Sequence, residues 1–275
     1  MVIIKIGKEI IKFVGTVKIE SQLKSYYQNF IWDMASISEK ECEDINVMIY
    51  DIAKYTIINK ENSDVSCVSI PFETYKAYIK TDLQKQCIDI WIPDEIKWND
   101  WEFCFRVASF PIFLKNDQLV IHSAGIQYLD KVYLITGESG AGKTTAVRNC
   151  VQENNGVIVL NDDTMVLYKN GSEWYASSAP YQSTSGIKPV FGGAKLAGIY
   201  RIHKVDNLFR TKMSKLEVIQ QIWTHCFAIG SMLLENSLMM EKLLCNAKDI
   251  SITTDNFHIY ARKEEKNLLA VMLGE

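Results

Sequence analysis

Gly137-Glu138-Ser139-Gly140-Ala141-Gly142-Lys143-Thr144 fits G-x-x-x-x-G-K-[ST], the Walker A phosphate loop. Each position has a physical job. The glycines open backbone conformations closed to other residues, so that successive N–H groups can point inward at an anion. The loop should open a helix, whose N-terminal dipole favours negative charge. Lys143 can reach the β- and γ-phosphates of a nucleotide, and the Thr144 hydroxyl can ligate Mg²⁺. The expected cradle is Gly137, Ser139, Gly140, Ala141, Gly142, Lys143, Thr144 and Thr145. A chance match in a chain of this length is on the order of one in a hundred. A glycine-rich turn before an ordinary helix would leave Lys143 and Thr144 unexplained.

The flanks supply the context that the motif needs. Leu119–Tyr128 and Val132–Thr136 read as two strands joined by a tight turn at Leu129-Asp130-Lys131. The second runs straight into Gly137. Thr144–Asn154 reads as a helix with Val147, Cys150 and Val151 on one face and Gly156 as its stop. Val157–Leu160 is a short apolar run, the mark of a buried strand. Strand, loop, helix and strand make a βαβ unit, which predicts neighbouring parallel strands.

Asn161-Asp162-Asp163 follows that last strand, at the edge where open α/β sheets bind ligands. If the strand lies beside the one feeding the loop, the acid pair faces Lys143. One carboxylate can then hold Mg²⁺ and the other can deprotonate an attacking hydroxyl. Solvated turn aspartates are the bland alternative. His122 lies one hairpin before the loop and is the third candidate. Lys188, Lys195, Arg201, Lys204 and Arg210 could clamp transition-state charge, with Arg201 and Arg210 favoured for their bidentate forks.

Further out, the chain is that of an ordinary globular protein. It has 275 residues, 23% charged and 48% hydrophobic. Its net charge is −3, which argues against a large nucleic-acid footprint and leaves room for a local basic patch. Seven widely spaced cysteines with no CxxC pair signal neither a disulfide framework nor a zinc site. The N-terminus is broken by Lys5 and Lys8, and the apolar stretches Val107–Leu114 and Phe227–Leu234 are about half a membrane span. A cytoplasmic protein without membrane partners is expected, and a homo-oligomer is left open.

The first part of the chain reads as strands at Val2–Ile6, Ile10–Val14, Val47–Tyr50, Tyr75–Ile79 and Cys87–Ile92, with polar stretches at Ser36–Asp44 and Asn59–Asp64. Asp100–Leu114 reads as a helix capped by Asp100 and kinked or ended by Pro111, its Trp and Phe residues facing a core. A long helix is expected near Lys215–Asn246, and strand-like alternation near Ile250–Tyr260. The fold class is α/β, of mixed α+β character. A strand-rich part, 1–115, is expected to complete the sheet of a phosphate-loop core, 116–275.

The stretches Ile121-His122-Ser123-Ala124-Gly125, Val132–Thr145 and Val159-Leu160-Asn161-Asp162-Asp163 resemble the HPr kinase/phosphorylase family and its shorter relatives. Those proteins share a phosphoenolpyruvate-carboxykinase-like phosphate-loop fold. In that family a His-containing strand precedes a G-[DE]-S-G-x-G-K-[ST] loop, and a paired Asp follows one short helix later. Ala179-Pro180-Tyr181 and Leu196–Asn207 are similar to segments of the shorter relatives. The second, glycine- and proline-rich signature of true HPr kinases is not found here. The resemblance implies a kinase using ATP and Mg²⁺ to phosphorylate a serine hydroxyl of a protein or peptide. Lys143 and Thr144 would bind phosphate and metal, Asp162 would be the general base near His122, and Asp163 would support the metal.

Rival readings separate on the same residues. A GTPase would need D-x-x-G, which does not follow the loop, so His203-Lys204-Val205-Asp206 is read as a decoy for its base-reading motif. A small-molecule hydroxyl kinase would show the same loop and acids. A nucleotide-binding regulatory module would keep Lys143 and Thr144 without needing Asp162.

Overall fold

A computed structural model of the chain describes residues 1–32, 44–52, 68–181, 185–226, 237–262 and 265–275. It divides into two compact units, Met1–Asn116 and Asp117–Glu275. Both mix helices and strands, so the fold is α/β as the sequence implies. The polar stretches at Ser36–Asp44 and Asn59–Asp64, apart from Asp44, and the apolar Phe227–Leu234 lie outside the described residues.

The first unit contains β1 (Val2–Ile6), β2 (Glu9–Val14), α1 (Val17–Tyr26), β3 (Asp44–Asp51), β4 (Val68–Pro71), β5 (Lys76–Asp82), β6 (Cys87–Ile92) and α2 (Trp98–Lys115). Its strands form their own six-stranded sheet, β1-β2-β3-β6-β5-β4. This differs from the expectation that they complete the sheet of the phosphate-loop core. Period-two alternation explains why they pair as they do. Ile45, Val47 and Ile49 of β3 are buried, whereas Asp44 and Asn46 are exposed.

Helix α2 begins after Lys97, and Asp100 sits inside its first turn, where it accepts a hydrogen bond from the Tyr75 hydroxyl at 2.8 Å. It runs through Pro111 to Lys115 instead of ending there. Ile112, Phe113 and Leu114, all fully buried, hold the last turn, so packing overrides the lost backbone bond. Trp101 and Phe105 are core residues, stacked 5.9 Å apart, as their spacing predicts.

The second unit holds β7 (Gln118–His122), β8 (Ala124–Tyr128), β9 (Lys131–Thr136), α3 (Lys143–Glu153), β10 (Ile158–Asn161), β11 (Thr164–Asn170), β12 (Glu173–Ser178), β13 (Gly193–Lys204), β14 (Phe209–Lys212), α4 (Lys215–His225), α5 (Ser237–Thr253), β15 (Phe257–Ala261) and α6 (Leu268–Leu273). Among the described residues, the long helix expected near Lys215–Asn246 is not continuous, because α4 ends at His225 with Cys226 as its cap. The residues from Ile250 to Thr253 belong to α5, so the terminal strand starts only at Phe257.

The strands join in the order β10-β8-β9-β13-β12-β11-β7, with β15 also on β13 and β14 on β15. The expected neighbouring of β9 and β10 is not found. β8 lies between them and is antiparallel to both. The tight β8–β9 hairpin fills the edge of β9 first, so the crossover through α3 lands one strand further out. Expected as one strand, Leu119–Tyr128 is interrupted at Ser123. There β7 leaves β11 as its partner and β8 takes up β10. Opposite this break lie Asp162 and Asp163, between β10 and β11. Paired interruptions of this kind re-aim side chains out of a ladder and recur beside functional sites.

Candidate functional site

β9 delivers the chain at Thr136 into the loop, and α3 leaves it at Lys143. Gly142 caps the helix with φ +103°, and Gly140 has φ +74°. A side chain at either would strain the backbone, which is why glycine stands there. Ala146 N donates to Gly142 O at 2.8 Å, closing the first turn. The half-buried Lys143 folds back, its ammonium donating to Gly137 O at 3.0 Å. Burial lowers the Lys143 pKa, and the carboxylates of Asp163 and Asp162 oppose that shift. Its charge is therefore held by those two acids in a partly desolvated place.

The acids owe their placement to Asn161, which is 1% exposed. Its amide donates to Ala179 O at 2.7 Å and to Tyr181 O at 3.0 Å. Its carbonyl oxygen accepts from Asp163 N at 2.8 Å and Thr164 N at 3.3 Å, an Asx turn that fixes the backbone of the pair. Asp162 is buried and accepts from the Thr144 hydroxyl at 3.3 Å. Asp163 accepts from the Thr164 hydroxyl at 2.7 Å and lies 3.4 Å from His122 Nδ1. Ser123 N, at the strand break, donates to Asp163 O at 3.0 Å. Five sequence candidates thus converge: Lys143, Thr144, Asp162, Asp163 and His122. The contacts pair Thr144 with Asp162 and His122 with Asp163.

A cavity of about 270 Å³ opens beside the loop. Gly140, Ala141, Gly142, Lys143, Thr144 and Thr145 line one side, and Ile202, Lys204, Ala261, Arg262 and Leu268 line the other. Gly137 is buried at the base of the loop and Ser139 is exposed at its crest. Of the five basic candidates, Arg201 reaches the loop, with its guanidinium 3.4 Å from the Glu138 carboxylate. Lys204 lines the cavity. Arg210 instead donates to Met272 O at 3.1 Å and lies over the Phe257 ring. Lys195 pairs with Glu173, and Lys188 is exposed.

Sequence reasoning missed His225. The last residue of α4, it is 8% exposed, and its ring centroid lies 6.3 Å from that of His122. Its pKa is pushed down to about 4, first by burial and then by His122, Lys143 and Arg201. It is thus held as a neutral imidazole, with burial acting first and His122, Lys143 and Arg201 from three other elements opposing its charge. No motif ties position 225 to the loop, since only the packing of α4 on β7 brings it there. Asn161 was legible as part of the Asn-Asp-Asp run, but its role as the clamp needs the carbonyls of Ala179 and Tyr181. Among the described residues, no cluster of His, Cys, Asp or Glu could by itself hold a metal ion. No described helix is long and apolar enough to cross a membrane.

No family model matches the chain, and no curated protein matches it. Among solved structures it is similar to the Hpr(Ser) kinase/phosphatase from Coxiella burnetii, with 11% identity over 56% of this chain and 88% of that chain, at a TM-score of 0.35.

Proposed function

We propose that the protein is an ATP- and Mg²⁺-dependent kinase that transfers the γ-phosphoryl group to a hydroxyl, a serine of a protein or peptide. One observation carries this reading: the loop's Lys143 and Thr144 meet Asp162, Asp163 and His122 in a single place. The residues fit the implied groups. A glycine-rich loop at a helix N-terminus suits a polyphosphate. A hydroxyl beside a carboxylate, Thr144 beside Asp162, suits a hard divalent cation. When bound, Mg²⁺ would supply charge neutralisation on the β- and γ-phosphates.

The protein's own part follows from its groups. Lys143 leaves Gly137 O and takes a phosphate oxygen. Arg201, at the loop mouth, balances the charge that develops on the transferring group. Asp162 accepts the acceptor's proton as its oxygen bonds to the γ-phosphorus and the bond to the β-phosphate breaks. Asp163, fixed by Thr164 and His122, supports the cation. The contacts favour a second division of labour, in which Asp162 serves the cation with Thr144 and Asp163 becomes the base oriented by His122.

The kinase is read out by γ-labelled ATP offered with candidate peptides and lysate, followed by mass spectrometry of the labelled species. Asp162→Asn and Asp163→Asn assign the roles. The variant that loses the base transfers no label yet keeps Mg-ATP affinity, whereas loss of the metal ligand raises the Mg²⁺ requirement. Label found only on a metabolite would make it a small-molecule kinase. Binding without turnover in wild type would make it a nucleotide-binding regulatory module.

A further inference from the structure

The His203–Asp206 stretch, dismissed as a nucleotide-base motif, has another use. His203 Nε2 lies 3.0 Å from His258 Nδ1, and His258 Nε2 lies 3.2 Å from Glu217 Oε1. Three elements are joined in this way: β13, β15 and the first turn of α4. The other carboxylate oxygen of Glu217 accepts from the Ser214 backbone N–H and hydroxyl, each at 2.7 Å, as the capping box of α4. His258 is buried, and His203 stacks on Tyr260 at 4.8 Å.

This chain ends on the candidate site in two places. Arg201 is the cross-strand partner of His258 on one side and of Thr136, the residue before the loop, on the other. Arg201 and His203 lie two apart on one strand, so they share a face. The helix that Glu217 anchors carries His225 to His122 at its far end.

We propose that His203, His258 and Glu217 are positioning residues for phosphoryl transfer, a chain of two imidazoles and a carboxylate that holds Arg201 and α4 against the phosphate loop. The proposal rests on the kinase reading. The hydrogen bonds dictate one tautomer pattern. A carboxylate can only accept, so His258 carries its proton on Nε2 and leaves Nδ1 bare. His203 must then donate from Nε2 and leave its own Nδ1 bare. The capping bonds keep Glu217 ionised by lowering its pKa to about 2. The groups acting on His203 are His258, Arg201 and Glu138, with Tyr260 stacked on its ring.

The chain has four histidines, so long-range proton–nitrogen spectra of the imidazoles can be assigned with single His→Gln variants. At neutral pH, wild type should show His203 and His258 both protonated on Nε2 alone. Glu217→Gln should release that preference at His258. Mg-ATP hydrolysis to water serves as the activity probe. His258→Gln should lower its kcat about tenfold or more with nucleotide affinity unchanged, because Arg201 is misplaced rather than removed. Ser214→Ala removes the hydroxyl bond and leaves the backbone N–H on Glu217, so it should lower Tm with the imidazole spectra as in wild type. An Nδ1-protonated or charged imidazole at either position in wild type overturns the chain. Unchanged kcat in both His258→Gln and Glu217→Gln overturns its positioning role. Wild type that neither binds nor hydrolyses Mg-ATP sinks the kinase reading, and the positioning role with it.

Discussion

Lys143 is the residue on which ligand binding turns. Its ammonium is partly desolvated, and two carboxylates balance its charge. Lys143→Ala removes a cation aimed at the phosphates while leaving the glycine backbone intact. Mg-ATP affinity should fall by about tenfold or more, the scale of a lost charge-assisted hydrogen bond. Calorimetric titration reads this directly, and an unchanged Kd would remove the loop from the argument. Asp162→Asn keeps shape and hydrogen bonding but loses basicity. With Asp162 as the base, turnover should drop by ~10²–10⁴-fold with binding retained, the range of general-base loss, whereas a raised Mg²⁺ requirement assigns it to the cation instead. Both residues were legible in the sequence, because the spacing of a loop motif and a short following helix is local. The pairing of Asp162 with Thr144 and of Asp163 with His122 was not, because it depends on the strand break at Ser123.

At the scale of elements, the site hangs on two backbone devices. Gly142 takes a left-handed conformation with open space around it, and the nearest atom to an added Cβ is Lys204 Cε at 3.8 Å. Gly142→Ala therefore meets conformational strain and no clash, costing ~1–2 kcal/mol of stability. It should also weaken Mg-ATP binding, seen as a smaller thermal shift on adding ligand. Asn161 is the second device. Replacing it with Ala strands two buried carbonyls and unties the Asp163 and Thr164 amides, so stability should fall by ~2–4 kcal/mol in denaturant unfolding. A midpoint within error of wild type would show that Asn161 is not the clamp. The sequence placed β9, the loop and α3 within a residue or two, because motif, periodicity and stop signal agreed. It erred on β10 as the neighbour of β9, and of the two outcomes it left for Pro111, a kink or an end, the end is not found, since strand order and core packing are settled by distant partners.

At the scale of the whole molecule, histidine burial gives stability a pH dependence. His225 titrates at about 4 when folded, against 6.5 for a free imidazole. Between those values the unfolded chain binds the proton and the folded one does not, so stability rises with pH across the window and is lost on acidification through it. The loss attributable to His225 reaches ~3 kcal/mol at the acid end. His203, also lowered by burial, acts in the same direction. Thermal melts from neutral pH downward should show Tm falling below about pH 6.5, and His225→Gln should flatten the fall. Equal slopes for the two proteins would mean that His225 is not buried neutral.

The sequence by itself determined the phosphate loop, the acid pair behind it and the α/β class. Each is written in residues close enough along the chain for sterics and periodicity to act without help. Only the tertiary structure decided that Thr144 meets Asp162, that Asn161 clamps the acids, that His122 meets Asp163 and His225, and that His203 meets His258. Those contacts join segments up to a hundred residues apart. Their placement follows from strand order and helix packing, which depend on the burial of the whole core and leave no local trace in the chain.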